Sequence, residues 1–186
     1  PTVDVVNGKT IVRKTRHLPE YQHDFVLPVW QVAAESCSAP VYFPAFVDED
    51  SCQFIDGGLW ANNPTMVGVA EALKIGHKID EIKVLSIGTG FKPFFKGGWI
   101  TKTLGLVGYR TSLIDLTFQT QSQGIHNIAS YVLRKDNYLR VDKILPKDKK
   151  YCFFSQFGLD DIGSIKTLIP FANQDAKDNI NEIQRV

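Results

Sequence analysis

The chain has 186 residues, 44% of them apolar and 22% charged, with a formal net charge of +1. That balance excludes disordered and collagen-like classes, and it gives no bulk electrostatic reason to expect nucleic acid as a partner. Cys37, Cys52 and Cys152 are far apart and odd in number, which supports neither a disulfide framework nor a zinc site and mildly favours a reducing compartment. The length suits one domain or part of a larger one. No apolar stretch reaches the ~18–20 residues of a membrane span, and no signal peptide is visible. The chain opens at Pro1 directly in apparent strand sequence, as expected of a chain whose amino-terminal part lies elsewhere.

Val3 to Val6 and Thr10 to Lys14 flank Asn7-Gly8, a strong hairpin signal. Residues 15 to 28 are polar with two prolines and read as loop. Val29 to Ala39 carries Trp30, Val32, Ala33 and Cys37 at helical spacing, and Pro40 predicts the helix end at Ala39. Gln53 to Ile55 reads as a short strand. Asn63 as N-cap, Pro64 at the first helical position and Gly76 beyond the end predict a helix over Pro64 to Ile75, with Met66, Val69, Ala70 and Leu73 buried. Ile82 to Ile87, closing in Gly88-Thr89-Gly90, has the pattern of a buried parallel strand. Further helices are expected near Ile100 to Leu106, Ser112 to Arg134, Asp161 to Phe171 and Gln174 to Gln184, with a strand at Tyr138 to Val141 and a charged turn at Lys147 to Lys150. The succession is α/β.

The most informative stretch is Phe54-Ile55-Asp56-Gly57-Gly58, followed by Asn62-Asn63-Pro64. An aspartate ending a strand and followed by two glycines can be approached closely, because neither neighbour carries a Cβ. The positive end of the next helix favours its ionised form. An ionised carboxylate there could orient and deprotonate a hydroxyl, which is general-base work in nucleophilic catalysis. Taken as a tripeptide alone, Asp-Gly-Gly reads more readily as a tight turn.

The wider context favours the catalytic reading. Ala39-Pro40-Val41-Tyr42-Phe43-Pro44, then Phe54 to Gly58, Asn62-Asn63-Pro64 and Leu85-Ser86-Ile87-Gly88-Thr89-Gly90 occur in an order and spacing that resemble the carboxyl-terminal half of a patatin-like phospholipase domain, over about residues 30 to 90. The resemblance implies a three-layer α/β/α fold with a mostly parallel central sheet, of which residues 1–186 would be the carboxyl-terminal portion, the stretch 100–186 being helical. It implies a lipid acyl hydrolase of the phospholipase A or lysophospholipase type with a serine–aspartate dyad. Asp56 matches the dyad aspartate, and Gly57, Gly58 and Asn62 support its loop. Cys37 departs from the family, which more often carries serine there. The 186 residues contain no Gly-x-Ser-x-Gly elbow and no glycine-rich oxyanion loop, so both are expected upstream of Pro1, and these residues by themselves are expected to be inactive. The implied chemistry needs no metal or organic cofactor. The implied partner is a phospholipid or other acyl-ester lipid, met in the cytoplasm or by peripheral membrane contact. A catalytically silent binding or regulatory domain and a lipid acyltransferase are the alternatives, and the oligomeric state is left open.

Other features rank lower. Phe91 to Trp99 mixes aromatics with lysines, so Phe94, Phe95 and Trp99 could form a lipid-entry loop or fold onto the core. Ser86 lies among glycines in the wrong order for an elbow. Ser122 has Thr120 where the elbow's first glycine belongs, within helical sequence. His17, His23, His77 and His126 are scattered, and a dyad requires none of them. Asp48-Glu49-Asp50 and Asp160-Asp161 lack the calcium-loop pattern and read as solvated loops.

Overall fold

A computed structural model describes residues 1–90, 112–145 and 162–186. Strands β1 (Thr2–Asp4) and β2 (Lys9–Ile11) form the expected hairpin, with Thr2 opposite Ile11 and Asp4 opposite Lys9. The turn is longer than predicted, spanning residues 5–8, because Asp4 ends the first strand. Its carboxylate accepts the backbone N–H groups of Val6 and Asn7, each at 3.0 Å, and the Asn7 side-chain amide at 2.7 Å. Gly8 completes the reversal at φ 63°.

Helix α1 spans Val29–Cys37, strand β3 Phe46–Val47 and strand β4 Gln53–Asp56. β4 lies between β1 and β3, giving an antiparallel four-stranded sheet in the order β2-β1-β4-β3. A short turn of helix, α2 (Gly58–Ala61), leads into α3 (Thr65–Lys74), which agrees with the predicted helix to within a residue at each end. Strand β5 (Val84–Ile87) pairs in parallel with β6 (Tyr138–Val141), Val84 opposite Tyr138. The long helix α4 (Ser112–Val132) lies between them in sequence, the kind of crossover that parallel pairing requires. Helices α5 (Ile165–Asp178) and α6 (Ile180–Arg185) close the chain.

The fold is therefore α/β. Its described parallel pairing is that of β5 with β6, and the described sheet that carries β4 is antiparallel throughout. The core joins Val69, Ile82, Ala129 and Leu133, with Met66, Ala72, Ile79, Val84 and Tyr138 packed around them. It ties α3 and α4 to the parallel strands.

Three local expectations shift. On α3, Val69 is buried as predicted, but Ala70 and Leu73 face solvent and Thr65 and Ala72 take the inner positions. On α1, Trp30 remains 67% exposed while Glu35 is completely buried. Burial of that carboxylate is tolerable because Arg13 binds both its oxygens, at 2.7 and 3.1 Å, and Gln31 adds a bond at 3.1 Å. The guanidinium is held above its ordinary pKa although burial works against its charge, because Glu35 and Asp24 both hydrogen-bond it. At the carboxyl end, the helix continues through Pro170, and the expected break falls at Asn179, whose side chain turns back to the Asp175 carbonyl at 2.8 Å. The elements predicted at 91–106 and 147–150 lie outside the described residues. No helix among the described residues is long and apolar enough to cross a membrane.

Candidate active site

Asp56 is the last residue of β4, opposite Thr2 of β1. Its backbone N–H donates to the Ser38 carbonyl at 2.9 Å, which ties the strand end to the segment leaving α1. Ser38 and Ala39 are both buried, so the small residues before Pro40 are what lets this segment approach β4. The loop then turns through Val41 at φ 80°, a strained conformation for a β-branched residue.

The half-buried side chain of Asp56 accepts one hydrogen bond among the described residues, from the Gly58 N–H to Oδ1 at 2.7 Å. Gly58 is the buried first residue of α2, so an N–H without an intrahelical partner meets the carboxylate. The other oxygen, Oδ2, accepts no hydrogen bond from the described residues. Gly57 is fixed by space, and Gly58 is crowded. A Cβ on Gly57 would overlap the Pro1 backbone, and one on Gly58 would press on Asp56 Oδ1 at 3.3 Å and the Phe118 ring at 3.4 Å.

The turn after Asp56 is fastened to α4. The Asn62 side chain donates to the Phe118 carbonyl at 3.3 Å, and the Asn63 side chain to the Ser122 carbonyl at 3.2 Å. Asn63 is almost fully buried, and its Oδ1 accepts the Thr65 N–H at 3.2 Å and the Thr65 hydroxyl at 2.6 Å. It thus satisfies the first N–H of α3 from two residues before the helix start, one position ahead of the N-cap Pro64.

A second constellation lies at the carboxyl ends of β5 and β6, and the sequence reading did not single it out. Arg140 donates to Ser86 Oγ at 2.8 Å, Ser122 Oγ at 3.3 Å and Asp142 Oδ2 at 2.6 Å. Asp142 Oδ1 accepts the Gly90 N–H at 3.0 Å. A Cβ on Gly88 would overlap that carboxylate, and Gly90 sits at φ 100°. The glycines after β5 are therefore shaped around Asp142. The detectable signal was the i, i+2 spacing of Arg140 and Asp142 on and just beyond a strand, which puts both on one face. Asn62, Thr65, Ser86, Ser122, Arg140 and Asp142 line part of a cavity of about 800 Å³. Asp56, Gly57 and Gly58 do not line it.

The remaining candidates disperse. Ser86 hydrogen-bonds Thr65 at 2.8 Å within the buried network, and Ser122 lies inside α4. His126 bonds the Tyr138 hydroxyl at 2.8 Å, and His17 bonds Glu71 at 2.9 Å. No histidine among the described residues hydrogen-bonds Asp56. Asp48 spends Oδ1 on the N–H groups of Asp50 and Cys52, as a turn cap would. Phe94, Phe95 and Trp99 lie outside the described residues, as do Asp160 and Asp161.

Comparison with known proteins gives this geometry a context. The family model described as patatin-like phospholipase matches residues 2–69. A cGAMP-activated phospholipase of Escherichia coli is 29% identical over 168 residues, covering 80% of this chain and 46% of the relative. One of the same description from Vibrio cholerae is 31% identical over 171 residues, with the same coverage of each. Phospholipase A I of Arabidopsis thaliana is 38% identical over 73 residues, 38% of this chain and 6% of the relative. The chain thus spans about half the length of the two bacterial relatives. Asp56 and its glycines fall inside residues 2–69, the segment that matches the patatin-like phospholipase family.

Proposed function

We propose that this chain supplies the acid–base half of a phospholipase active site, with Asp56 as general base for a serine carried outside these 186 residues. The observation that carries the reading is the state of the carboxylate. It ends a strand within the family-matched segment, with one oxygen fixed by Gly58 N–H and the other open among the described residues.

In this reading Asp56 takes the proton of the serine hydroxyl as Oγ attacks the ester carbonyl of a phospholipid. The tetrahedral intermediate collapses to an acyl-serine, and the protonated Asp56 returns the proton to the departing lysolipid oxygen. Water, deprotonated by Asp56, then attacks the acyl-serine and releases a fatty acid and the free serine. Gly57 and Gly58 keep the approach open, and the Gly58 N–H orients the carboxylate. The α/β framework around it is read as part of a three-layer α/β/α domain with a larger parallel sheet. The bacterial relatives are described as cGAMP-activated, so activity in the intact protein is expected to require a cyclic nucleotide of that kind.

The test is fatty-acid release from phospholipid vesicles by the full-length protein, with and without cGAMP. Asp56→Asn keeps the shape of the side chain and its bond to Gly58 but removes the base, and activity is expected to fall about 10²–10⁴-fold with folding intact. Retention of more than about a tenth of kcat, a barrier change under ~1.4 kcal/mol, contradicts the assignment.

A further inference from the structure

Helix α4 has no assigned part in this chemistry, yet one of its faces holds the segment that carries Asp56. Phe118, Gln121 and Ser122 stand at i, i+3 and i+4, a spacing that puts them on a single face. The Phe118 ring stands beside Gly58, whose N–H orients the Asp56 carboxylate. The Phe118 and Ser122 carbonyls receive Asn62 and Asn63. Gln121 uses both ends of its amide. Its Nε2 donates to the Trp60 carbonyl at 2.7 Å, and its Oε1 accepts the Asn63 N–H at 3.1 Å.

Those two backbone groups bracket the end of α2. A four-residue helix holds itself poorly, since nucleating one turn costs more than its few backbone hydrogen bonds return, here those of the Trp60 and Ala61 N–H groups to the Gly57 carbonyl. The direction of the Gly58 N–H therefore depends on what fastens α2 from outside. Gln121 is the side chain that ties the α2 residue Trp60 and the following Asn63 together, beside the Asn62 and Asn63 bonds to α4 and a 3.3 Å bond from the Trp60 indole to the Thr2 carbonyl.

We propose that Gln121 is a positioning residue for the acyl-transfer chemistry: its side-chain amide bridges Trp60 and Asn63 and so fixes the α2 turn that aims Asp56. This rests on Asp56 being the base, as proposed above. Gln121 touches neither substrate nor the reacting atoms. It acts through the turn, so its loss lowers the rate of the chemical steps more than it weakens lipid binding.

The experiment uses the full-length protein, releasing fatty acid from phosphatidylethanolamine–phosphatidylglycerol vesicles in the presence of cGAMP. Gln121→Met preserves length and bulk but removes both hydrogen bonds. Gln121→Glu keeps an acceptor for Asn63 N–H and turns a second oxygen against the Trp60 carbonyl. Both are expected to lower kcat by about tenfold or more, with KM within about twofold, in protein that melts as a folded species. Thr120→Ala, on the neighbouring exposed position whose hydroxyl bonds only within α4, should match wild type.

Wild-type kcat in folded Gln121→Met overturns the proposal, as does an activity loss that only tracks a smaller folded fraction. If Gln121→Met does not fold, Gln121→Glu gives the same reading. Failure of both to fold assigns Gln121 to architecture alone and also overturns it. Asp56→Asn separates the two levels. An active Asp56→Asn removes the base assignment and this inference with it, whereas an inactive Asp56→Asn beside a fully active Gln121→Met removes this inference only.

Discussion

Asp56 and Asp142 are both aspartates at the carboxyl end of a strand, and both lie against glycines, yet the structure treats them differently. Asp142 has both oxygens occupied: Arg140 holds one and the Gly90 N–H the other. Asp56 has one oxygen on Gly58 N–H, and the second is open among the described residues. A carboxylate with both oxygens engaged, one of them by a guanidinium, is a structural tie. One with a fixed oxygen and an open oxygen can accept a proton from something else. Glu35 takes the first condition further, being fully buried and bonded by Arg13 and Gln31. The motif around an acid therefore says less about its role than how much of its bonding capacity is already committed.

This contrast can be broken at several points. The largest effect belongs to Asp56→Asn, whose expected 10²–10⁴-fold activity loss should come with little change in stability. Next comes the buried pair. Arg13→Leu leaves the Glu35 carboxylate without its main partner, and unfolding free energy is expected to fall by about 3–5 kcal/mol in denaturant titration. A loss under ~1 kcal/mol would mean that water or another cation replaces Arg13 and that Glu35 is not committed as described.

Asp142→Asn reverses the Asp56 pattern. It should cost about 1–3 kcal/mol of stability, because the Arg140 charge and the Gly90 N–H lose a charged acceptor. Activity per folded molecule should stay near wild type. A selective loss of kcat at unchanged stability would place Asp142 in the chemistry and dissolve the distinction.

The smallest effect is on the surface. Glu71 accepts hydrogen bonds from Lys14, Tyr21 and His17, and these hold its carboxyl down to about 2 from an ordinary 4.5, Lys14 contributing most. The folded-state value is the lower one. The associated stability is therefore fully present above about 4.5 and is lost as pH falls toward 2. Because the cluster is partly exposed, solvent and salt screen it. Acid titrations of wild type and Glu71→Gln should diverge modestly above that window and converge below it. Parallel curves would show that the cluster adds nothing.

Much of the framework was legible because it depends on local chemistry. Asn7-Gly8 predicts a hairpin, and the hairpin forms. Asn63-Pro64 and Gly76 bracket a helix that agrees with the structure to within a residue at each end. The strand over Tyr138–Val141 is found where expected. The buried faces were less legible. Trp30 lies outside and Glu35 inside because Arg13, 22 positions away in sequence, reaches the carboxylate. An apolar moment on α1 cannot reveal that partner. Gln121, Arg140 and Asp142 escaped notice for a similar reason. Each matters through what it meets across the fold, and the i, i+2 spacing of Arg140 and Asp142 marks only a shared strand face.

The amino-acid order by itself determined where the chain turns, which stretches are helix or strand, and that an acid followed by two glycines ends a strand in a family-like context. These follow from backbone preference and short-range hydrogen bonding, which a few consecutive residues suffice to set. Tertiary structure alone decided which acids are spent and which is open. It set Asp142 into the space beside Gly88, Arg13 onto Glu35, and the Gln121 amide across the turn after Asp56. Hydrogen-bond capacity is filled by whatever the folded chain brings within about 3 Å, and that distance has no counterpart along the sequence.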